Sequence, residues 1–391
     1  MTPSARLQAA IDILDAVLAA ARVGGAAADT LIQRYFRERR YAGSKDRRAV
    51  RDLVYGAIRR AGERPASGRA ALLGLAQDRP ELLPLFDGSP HAPAPIGAGE
   101  IPAAAGVLPA WLDAKLDGVL SANEKAALLD RATLDLRANR LKTDRASLLA
   151  ALPGAEAGML ARDAFRLPEG TVVERMADYE AGLFEVQDEG SQLIAEACAV
   201  QPGQIVIDLC AGAGGKTLAL AVAMANEGRL IACDVDRARL SRLRPRAERA
   251  GVHVEELLLD AGRERGALDG LLGAADVVLV DAPCSGSGTW RRNPEARWRL
   301  TPARLAQLMK LQGHVLEIGS ELVKPGGTMV YAVCSLLPEE GDARIASFLA
   351  ANIGWTTDPL GFGRVQAHGV ILTPASHGTD GFFVARLKRA C

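Results

Sequence analysis

Residues that can bind or react lie directly after five short apolar runs in the second half of the chain. Asp208, Asp234, Asp260 and Asp281 follow the first four runs, and Cys334 follows the fifth. A single acid after a strand is usually a helix cap or a turn former. Acids after four successive runs are hard to attribute to capping, so the pattern indicates one ligand site shared by the ends of these runs.

The first run leads into a glycine-rich loop, Asp-Leu-Cys-Ala-Gly-Ala-Gly-Gly-Lys-Thr at 208–217. A phosphate-binding P-loop requires glycine where Cys210 stands, and a dinucleotide fingerprint requires its third glycine where Thr217 stands. What remains is an acid followed by Gly-x-Gly, the loop typical of proteins that bind S-adenosyl-L-methionine. Its glycines let the backbone pass close to a ligand. The predicted cofactor contacts in this loop are Asp208, Cys210, Ala211, Gly212, Ala213, Gly214, Gly215 and Lys216.

The next acids extend the predicted cofactor site. Asp234 lies at the end of the second run, where an acid can accept hydrogen bonds from both ribose hydroxyls. Asp260, at the end of the third run, is placed to accept from the adenine amino group. Asp281, at the end of the fourth, lines the same predicted pocket and is also a catalytic candidate, because it could hydrogen-bond to a base.

Two cysteines follow the last two runs, Cys284 in Asp-Ala-Pro-Cys-Ser and Cys334 in Tyr-Ala-Val-Cys-Ser. A lone cysteine in an apolar strand is ordinarily inert, as we expect for Cys198 and Cys233. Carbon 5 of cytosine can take a methyl group once a thiolate has added to carbon 6, and a base must then remove the carbon 5 proton. The nucleophile needs a positive neighbour. Lys216 is a candidate, and it could instead fix the cofactor or Asp281.

The elements that position these residues are typical of a Rossmann-like α/β domain. Short apolar runs between helices predict a parallel sheet that is covered on both faces. Ligands on such sheets bind at the carboxyl ends of the strands, near a switch in strand order. The predicted strands are 205–209, 230–233, 254–258, 277–280 and 328–333, and the predicted helices are 216–224, 237–250, 302–322 and 339–351.

Periodicity divides the rest of the chain. We predict an all-helical domain at 1–88, a linker rich in proline and glycine at 89–105, a small α/β module at 106–186 and the methyltransferase domain at 187–391.

Six segments carry a resemblance to a known family. DLCAGAGGKT, CDVD, DAPCSGSGT, RRNPEARWRLTP, YAVCSLLPEE and DGFFVARL resemble, in order and spacing, the Sun (Fmu) family of RNA cytosine carbon-5 methyltransferases. Upstream, FEVQDEGSQLIA and LRANRLKTDRASLLAAL are similar to the small RNA-binding module of that family. The N-terminal helices are similar to the NusB-like RNA-binding domain of its bacterial ribosomal RNA members.

The resemblance implies roles for the site residues. Cys334 would be the nucleophile and Cys284 would assist release of the product. The loop 210–216, Asp234, Asp260 and Asp281 would line the pocket for S-adenosyl-L-methionine. DNA cytosine methyltransferases use the Pro-Cys pair after the fourth strand, so the additional Cys334 marks the RNA type. The chain departs from the family pattern at Ala213, where proline is usual, and at Val333, where threonine is usual.

Three groups of residues are candidates for holding RNA. Residues 34–64 contain eleven Arg or Lys and four acids, so that 11 − 4 gives a local charge of +7, which can attract phosphate or form a solvated helix face. Arginine and tryptophan at 290–299 suit phosphate contact and base stacking, and the alternative is a cation–π pair or a core tryptophan. A further predicted phosphate surface comprises Arg137, Arg140, Lys142 and Arg145. The target cytosine must be unpaired or flipped to reach the thiols.

Composition excludes several classes of protein. The six cysteines contain no Cys-x-x-Cys pair, and no run approaches the ~20 apolar residues of a membrane span. We therefore expect a cytoplasmic monomer without a metal, acting on RNA, with small-subunit ribosomal RNA inferred from the NusB-like N-terminus. The alternatives are a methyltransferase for tRNA, another RNA or DNA, an oxidoreductase, and a non-catalytic RNA-binding assembly factor. The missing third glycine argues against the oxidoreductase, and the two thiols argue against the assembly factor.

Overall fold

Six α-helices form most of the first of two units in the computed structural model, which describes all 391 residues. This helical unit comprises residues 1–131 and a returning segment, 289–304. Apolar side chains of the first and third helices, among them Leu14 and Val54, are buried in its core. The helices are α1 Pro3–Val23, α2 Ala28–Glu38, α3 Ser44–Arg60, α4 Gly68–Asp78, α5 Ala110–Leu116 and α6 Ala122–Ala127.

The segment predicted as a linker is irregular but packs on the helical unit. The backbone N–H of Ala103 donates to the carbonyl of Ala70 at 2.8 Å, and Arg69 forms an ion pair with Glu100 at 2.6 Å. Residues 106–131 also belong to this unit, so its boundary differs from the predicted boundary at residue 106. The difference arises because backbone hydrogen bonds, which composition does not reveal, attach this irregular segment to the helices.

The second unit, the sheet unit, comprises residues 132–288 and 305–391. Its first part contains a four-stranded antiparallel sheet in the order β2-β3-β1-β4. The aromatic pair Phe165 and Phe184 lies in the core of this part. Its elements are β1 Leu134–Ala138, α7 Arg145–Ala151, β2 Glu156–Ala157, β3 Ala164–Leu167, α8 Ala177–Glu180 and β4 Phe184–Val186.

A nine-stranded sheet forms the rest of the sheet unit. Its parallel part has the order β7-β6-β5-β8-β9, and β13 joins β9 in the antiparallel direction. The strands are β5 Ile205–Asp208, β6 Arg229–Asp234, β7 Glu255–Leu258, β8 Ala275–Asp281, β9 Val323–Val333, β10 Trp355–Asp358, β11 Arg364–Val365, β12 Val370–Leu372 and β13 Phe382–Arg389.

This sheet is the predicted Rossmann-like fold. Strand order reverses between β5 and β8, so their carboxyl ends flank the switch point where ligands bind on such sheets. The helices are α9 Glu189–Ala197, α10 Gly215–Ala223, α11 Arg237–Leu240, α12 Leu243–Ala250, α13 Glu264–Leu268, α14 Pro302–Leu322, α15 Asp342–Ala351 and α16 Pro374–His377.

One predicted helix, 237–250, is two helices in the structure, α11 and α12. Pro245 has no N–H to donate to the carbonyl four residues earlier, so a continuous helix would lose a bond there. A proline is tolerated in the first turn of a helix, which is where the second helix places it. None of the helices combines the length and apolar character that crossing a bilayer requires.

Candidate active site

The glycine-rich loop between β5 and α10 has a backbone shape that favours glycine. Gly212 and Gly214 have φ angles of 56° and 82°, in the left-handed region. A Cβ on Gly214 would lie 2.2 Å from Cδ1 of Leu243. The loop is closed by a hydrogen bond from the Gly214 N–H to the carbonyl of Ala211 at 2.9 Å. A side chain at Gly214 would therefore force the Leu243 side chain to move and would strain the backbone.

Asp208 ends β5 beneath this loop and is almost fully buried. Thr217 donates to its Oδ2 at 2.6 Å, whereas its Oδ1 has no hydrogen-bond partner. Burial raises the pKa of Asp208 to about 7, and the nearby charge of Asp281 adds to the rise. A buried acceptor without a donor is costly in a folded protein, so this oxygen indicates a place for a donor from a ligand.

The ends of the next two strands meet beside the loop. Asp234 accepts hydrogen bonds from the N–H groups of Gly212 and Asp236, both at 2.7 Å. The N–H of Leu259 donates to the Asp234 carbonyl at 2.9 Å, which brings the following residue, Asp260, to the same edge of the sheet. Asp260 is exposed and can receive a ligand.

Lys216 and Asp281 form an ion pair at the switch point, with Nζ 2.7 Å from Oδ2. Burial lowers the pKa of Lys216, but attraction to Asp281 outweighs it and leaves the pKa above its ordinary value, with a smaller contribution from Cys334. Its position is therefore compatible with the suggested role of fixing Asp281, to which it is bonded.

The two cysteines after β8 and β9 lie side by side. The Sγ atoms of Cys284 and Cys334 are 3.4 Å apart, and both side chains are partly exposed. The N–H of Gly288 donates to the carbonyl of Cys334 at 3.0 Å, which ties one loop to the other. The hydrogen bond to Cys334, followed by burial, holds the pKa of the Cys284 thiol well above its usual range. Cys284 therefore stays protonated beside the other sulfur.

Three other cysteines of the sheet unit, Cys198, Cys210 and Cys233, are poor nucleophiles. Cys198 and Cys233 are buried, and burial raises the pKa of both thiols, that of Cys233 to about 12. Burial also raises the pKa of Cys210 in the cofactor loop. No group of three or more histidine, cysteine or carboxylate side chains is arranged to hold a metal ion.

Comparison with known proteins identifies this arrangement. Residues 195–388 match the family described as 16S rRNA methyltransferase RsmB/F. Ribosomal RNA small subunit methyltransferase B of Shewanella oneidensis is 34% identical over 290 residues, which cover 72% of this chain and 67% of that protein. The chain belongs to the RsmB/F family.

Other comparisons agree with the RsmB/F assignment. A probable ribosomal RNA small subunit methyltransferase B of Synechocystis sp. is 34% identical over 66% of this chain, which spans only 60% of that relative's length. A methyltransferase homologue from Pyrococcus horikoshii has a solved structure that is 28% identical, with a TM-score of 0.60, and covers 72% of this chain and 100% of its own.

RsmB/F methyltransferases use S-adenosyl-L-methionine, and the residues around the loop fit it. The unpartnered Oδ1 of Asp208 can accept from an amine, and the Asp234 carboxylate from ribose hydroxyls. Val235 directly follows Asp234 and is half exposed, so it offers an apolar surface to the adenine base of the cofactor. Sequence reasoning missed Val235, although its position next to the ribose acid is a usable signal.

Sequence reasoning also missed a polar network next to the two thiols of this RsmB/F protein, those of Cys284 and Cys334. Ser285 and Ser335, each directly after a cysteine, both donate to the carboxylate of Glu340. The repeated Cys-Ser pair was the available signal.

The predicted phosphate surface at 137–145 is wrong for Arg137, which is buried and donates to the Gly215 carbonyl at 3.0 Å, behind the cofactor loop. Burial lowers its pKa to about 10. Lys142 donates to the carbonyls of Ala181 and Arg249, and Arg140 forms an ion pair with Asp163. Most of these cations therefore hold the sheet unit together.

The predicted RNA contact at 290–299 is also wrong for three of its residues. Trp290 and Arg297 are fully buried, and Trp298 is part of the core of the helical unit. Its indole N–H donates to the carbonyl of Ala61 at 3.2 Å. Tryptophan and arginine here serve packing and capping within the helical unit.

Proposed function

We propose that this protein transfers a methyl group from S-adenosyl-L-methionine to carbon 5 of a cytosine in small-subunit ribosomal RNA, with Cys334 as a covalent nucleophile. The observation that supports this most is the pair of thiols 3.4 Å apart at the ends of β8 and β9, beside an S-adenosyl-L-methionine loop. A base inserted there would meet both sulfurs. One chain supplies both thiols and the whole loop, which supports a monomer.

In the first step that the protein carries out, a cysteine sulfur adds to a carbon atom of the cytosine ring. The thiolate of Cys334 bonds to carbon 6 of the cytosine, and the electron pair of the 5,6 double bond moves to carbon 5 and into the ring. The Lys216 ammonium is paired with Asp281, and the partly exposed carboxylate of Asp281 can accept from the cytosine amino group. S-adenosyl-L-methionine, when bound, supplies the methyl group as an electrophile to carbon 5.

The second step requires a base. Once Cys334 is bonded to carbon, its sulfur is a neutral thioether and only a weak acceptor, so the largest cause of the raised pKa of Cys284 is weakened. Cys284 can then lose its proton to solvent and take the proton from carbon 5. The sulfur–carbon bond breaks with its electron pair returning to Cys334, and the 5,6 double bond is restored.

The helical unit supports RNA as the partner. Arg34, Arg37, Arg40, Lys45 and Arg48 are exposed on α2, α3 and the turn between them. Tyr41, in the same turn, is 74% exposed and could stack on an unpaired base. We also propose action in the cytoplasm, because all six cysteines are free and free thiols persist in a reducing compartment.

Two substitutions test the assignment of the thiols. With labelled S-adenosyl-L-methionine and a 16S ribosomal RNA transcript, Cys334→Ser should abolish both methyl transfer and the covalent protein–RNA adduct. Cys284→Ser should accumulate an adduct with methylated RNA on a denaturing gel, because release fails. Cys198→Ser, at a buried thiol outside the site, is the matched control and should transfer methyl groups like the natural protein.

Two results would contradict the proposal. An adduct that is lost in Cys284→Ser but kept in Cys334→Ser would reverse the two roles. The proposed substrate would be overturned if the ribosomal transcript takes no methyl group while tRNA, or DNA with the sequence of the transcript, does.

A further inference from the structure

We infer that Glu340 is a positioning residue that holds Cys284 and Cys334 at reacting distance by binding the serine that follows each of them. The inference deepens the proposed function and rests on it for its catalytic meaning. Its structural part concerns only how the two sulfurs are kept together.

The two cysteine loops converge on one carboxylate. Oε1 of Glu340 accepts from the backbone N–H of Ser285 at 2.9 Å, and Oε2 accepts from the hydroxyls of Ser285 and Ser335, the latter at 2.5 Å. The Ser285 and Ser335 hydroxyls are also 3.1 Å apart. Each serine is covalently next to a reacting cysteine, so the carboxylate fixes the distance between the loops.

Glu340 itself is held in place. Its side chain is fully buried, and Gln312 of α14 donates both to Oε1 at 2.8 Å and to the carbonyl of Pro283 at 3.0 Å. The hydroxyl of Tyr331 donates to the Glu340 backbone carbonyl at 2.7 Å. An ionised carboxylate only accepts hydrogen bonds, so it can receive several donors at once without itself donating. Glutamine at this position would present an amide N–H₂ to at least one group that is already a donor.

The charge of Glu340 also distinguishes the two thiols. After the hydrogen bond to Cys334 and burial, the negative charges of Cys334 and Glu340 contribute to raising the pKa of Cys284. The carboxylate therefore helps to keep Cys284 protonated. This charge places the proton on Cys284, as the proposed function requires.

A dithiol reagent tests the geometry without any RNA. Phenylarsine oxide bridges two close thiols by forming two arsenic–sulfur bonds and releasing water. We expect the full-length natural protein to give a Cys284–Cys334 bridged product in peptide mass spectrometry. Glu340→Gln should reduce this product at least tenfold, while each thiol still reacts singly with iodoacetamide. Glu264→Gln, at another buried glutamate of the sheet unit, is the matched control and should bridge normally.

Kinetics test the catalytic part. In single-turnover methyl transfer, Glu340→Gln should lower the rate on the order of 10²-fold, as expected when reacting groups are misplaced. The concentration of RNA that gives half the maximal rate should change less than twofold. The pH limb that reports loss of the Cys284 proton should move to lower pH, because a negative charge near that thiol is gone.

The outcomes separate the structural part of the inference from the proposed function. Unchanged bridging in Glu340→Gln overturns the inference. Reduced bridging, with no methylation of any RNA by the natural protein, sustains the role of Glu340 in holding the thiols and contradicts the proposed function. If Glu340→Gln has no cooperative thermal transition, Ser335→Ala replaces it, since it removes one hydroxyl donor and leaves the carboxylate. Normal bridging in Ser335→Ala would then overturn the inference.

Discussion

Asp208 is a buried carboxyl group that should make stability depend on pH. Burial raises its pKa from 3.8 to about 7. Between these values the folded chain keeps a proton that the unfolded chain has lost, so the free energy of unfolding falls as the pH rises. The fall is at most about 4 kcal/mol from this group. Asp208→Asn should remove it, so that, without cofactor, the variant loses less thermal stability than the natural protein between pH 5 and pH 8.

Asp276→Asn is the matched control for this measurement. Hydrogen bonds and the charge of Lys324 outweigh burial and hold the pKa of Asp276 below its usual value, so it does not titrate between pH 5 and pH 8. Melting temperatures of all three proteins decide the result. Equal pH dependence in Asp208→Asn and the natural protein would show that Asp208 is ionised throughout.

At the scale of single residues, the sequence predicts those that end strands and misses those that support them. Asp208, Asp281 and Cys334 could be predicted to lie together because parallel strands bring their carboxyl ends to one edge. Glu340 could not, because its donors come from three separate segments and a glutamate is ordinarily exposed. The hydrogen bonds that satisfy it exist only after folding.

At the scale of elements, three charges in one short turn cap three helices of the helical unit. Glu295 accepts from the N–H of Ala28, the first residue of α2. Arg297 donates to the carbonyls of Ile58 and Ala61 at the end of α3, and Arg299 to those of Gly25 and Ala26, just beyond α1. An anion at a helix start and cations at helix ends match the helix dipoles.

Removing the central cap should destabilise the helical unit. Arg297 is fully buried, and Arg297→Ala leaves the carbonyls of α3 without donors, at a cost of about 2–4 kcal/mol. Urea unfolding followed by circular dichroism should show an earlier helical transition. Arg64→Ala, at an exposed arginine of the same unit, should change stability by no more than about 0.5 kcal/mol. An unchanged helical transition in Arg297→Ala would mean that water replaces the cap.

The misassignment of 290–299 has a physical cause. Arginine beside tryptophan can stack on a base or cap a helix end with equal chemistry, since guanidinium binds phosphate and carbonyl oxygens alike. Composition does not say which oxygen is near. Only the approach of helices from the first hundred residues decides it, and that contact is distant in sequence.

At the scale of the whole molecule, the parallel core of the sheet could be predicted, and its antiparallel edge could not. Continuous apolar strands such as β5 and β8 alternate with helices and have a distinctive pattern. The added strands β11 and β12 contain only two and three residues, too few to show any period. Units built from distant segments, 1–131 with 289–304, are also outside the reach of local patterns.

This discontinuity predicts the behaviour of a shortened chain. A protein of residues 132–391 keeps the turn at 290–299 but loses the helices whose core contains Trp298. We expect its tryptophan fluorescence to shift to longer wavelength and its tendency to aggregate to rise. The full-length variant Trp298→Phe assigns the signal, because its spectrum lacks only the contribution of Trp298 while Trp111, Trp290 and Trp355 remain. Identical spectra for the shortened and full-length proteins would contradict this expectation.

The helix caps contributed by the returning turn can form only late in the synthesis of the chain. Arg297 lies 239 residues after the Ile58 carbonyl that it binds. Translation at roughly 5–20 residues per second would therefore leave the emerging α3 without its cap for about 12–48 s. During that interval the N-terminal helices have been synthesised but are not yet capped. Nascent polypeptides of this protein should therefore depend on chaperone protection of their N-terminal part rather than of their C-terminal part.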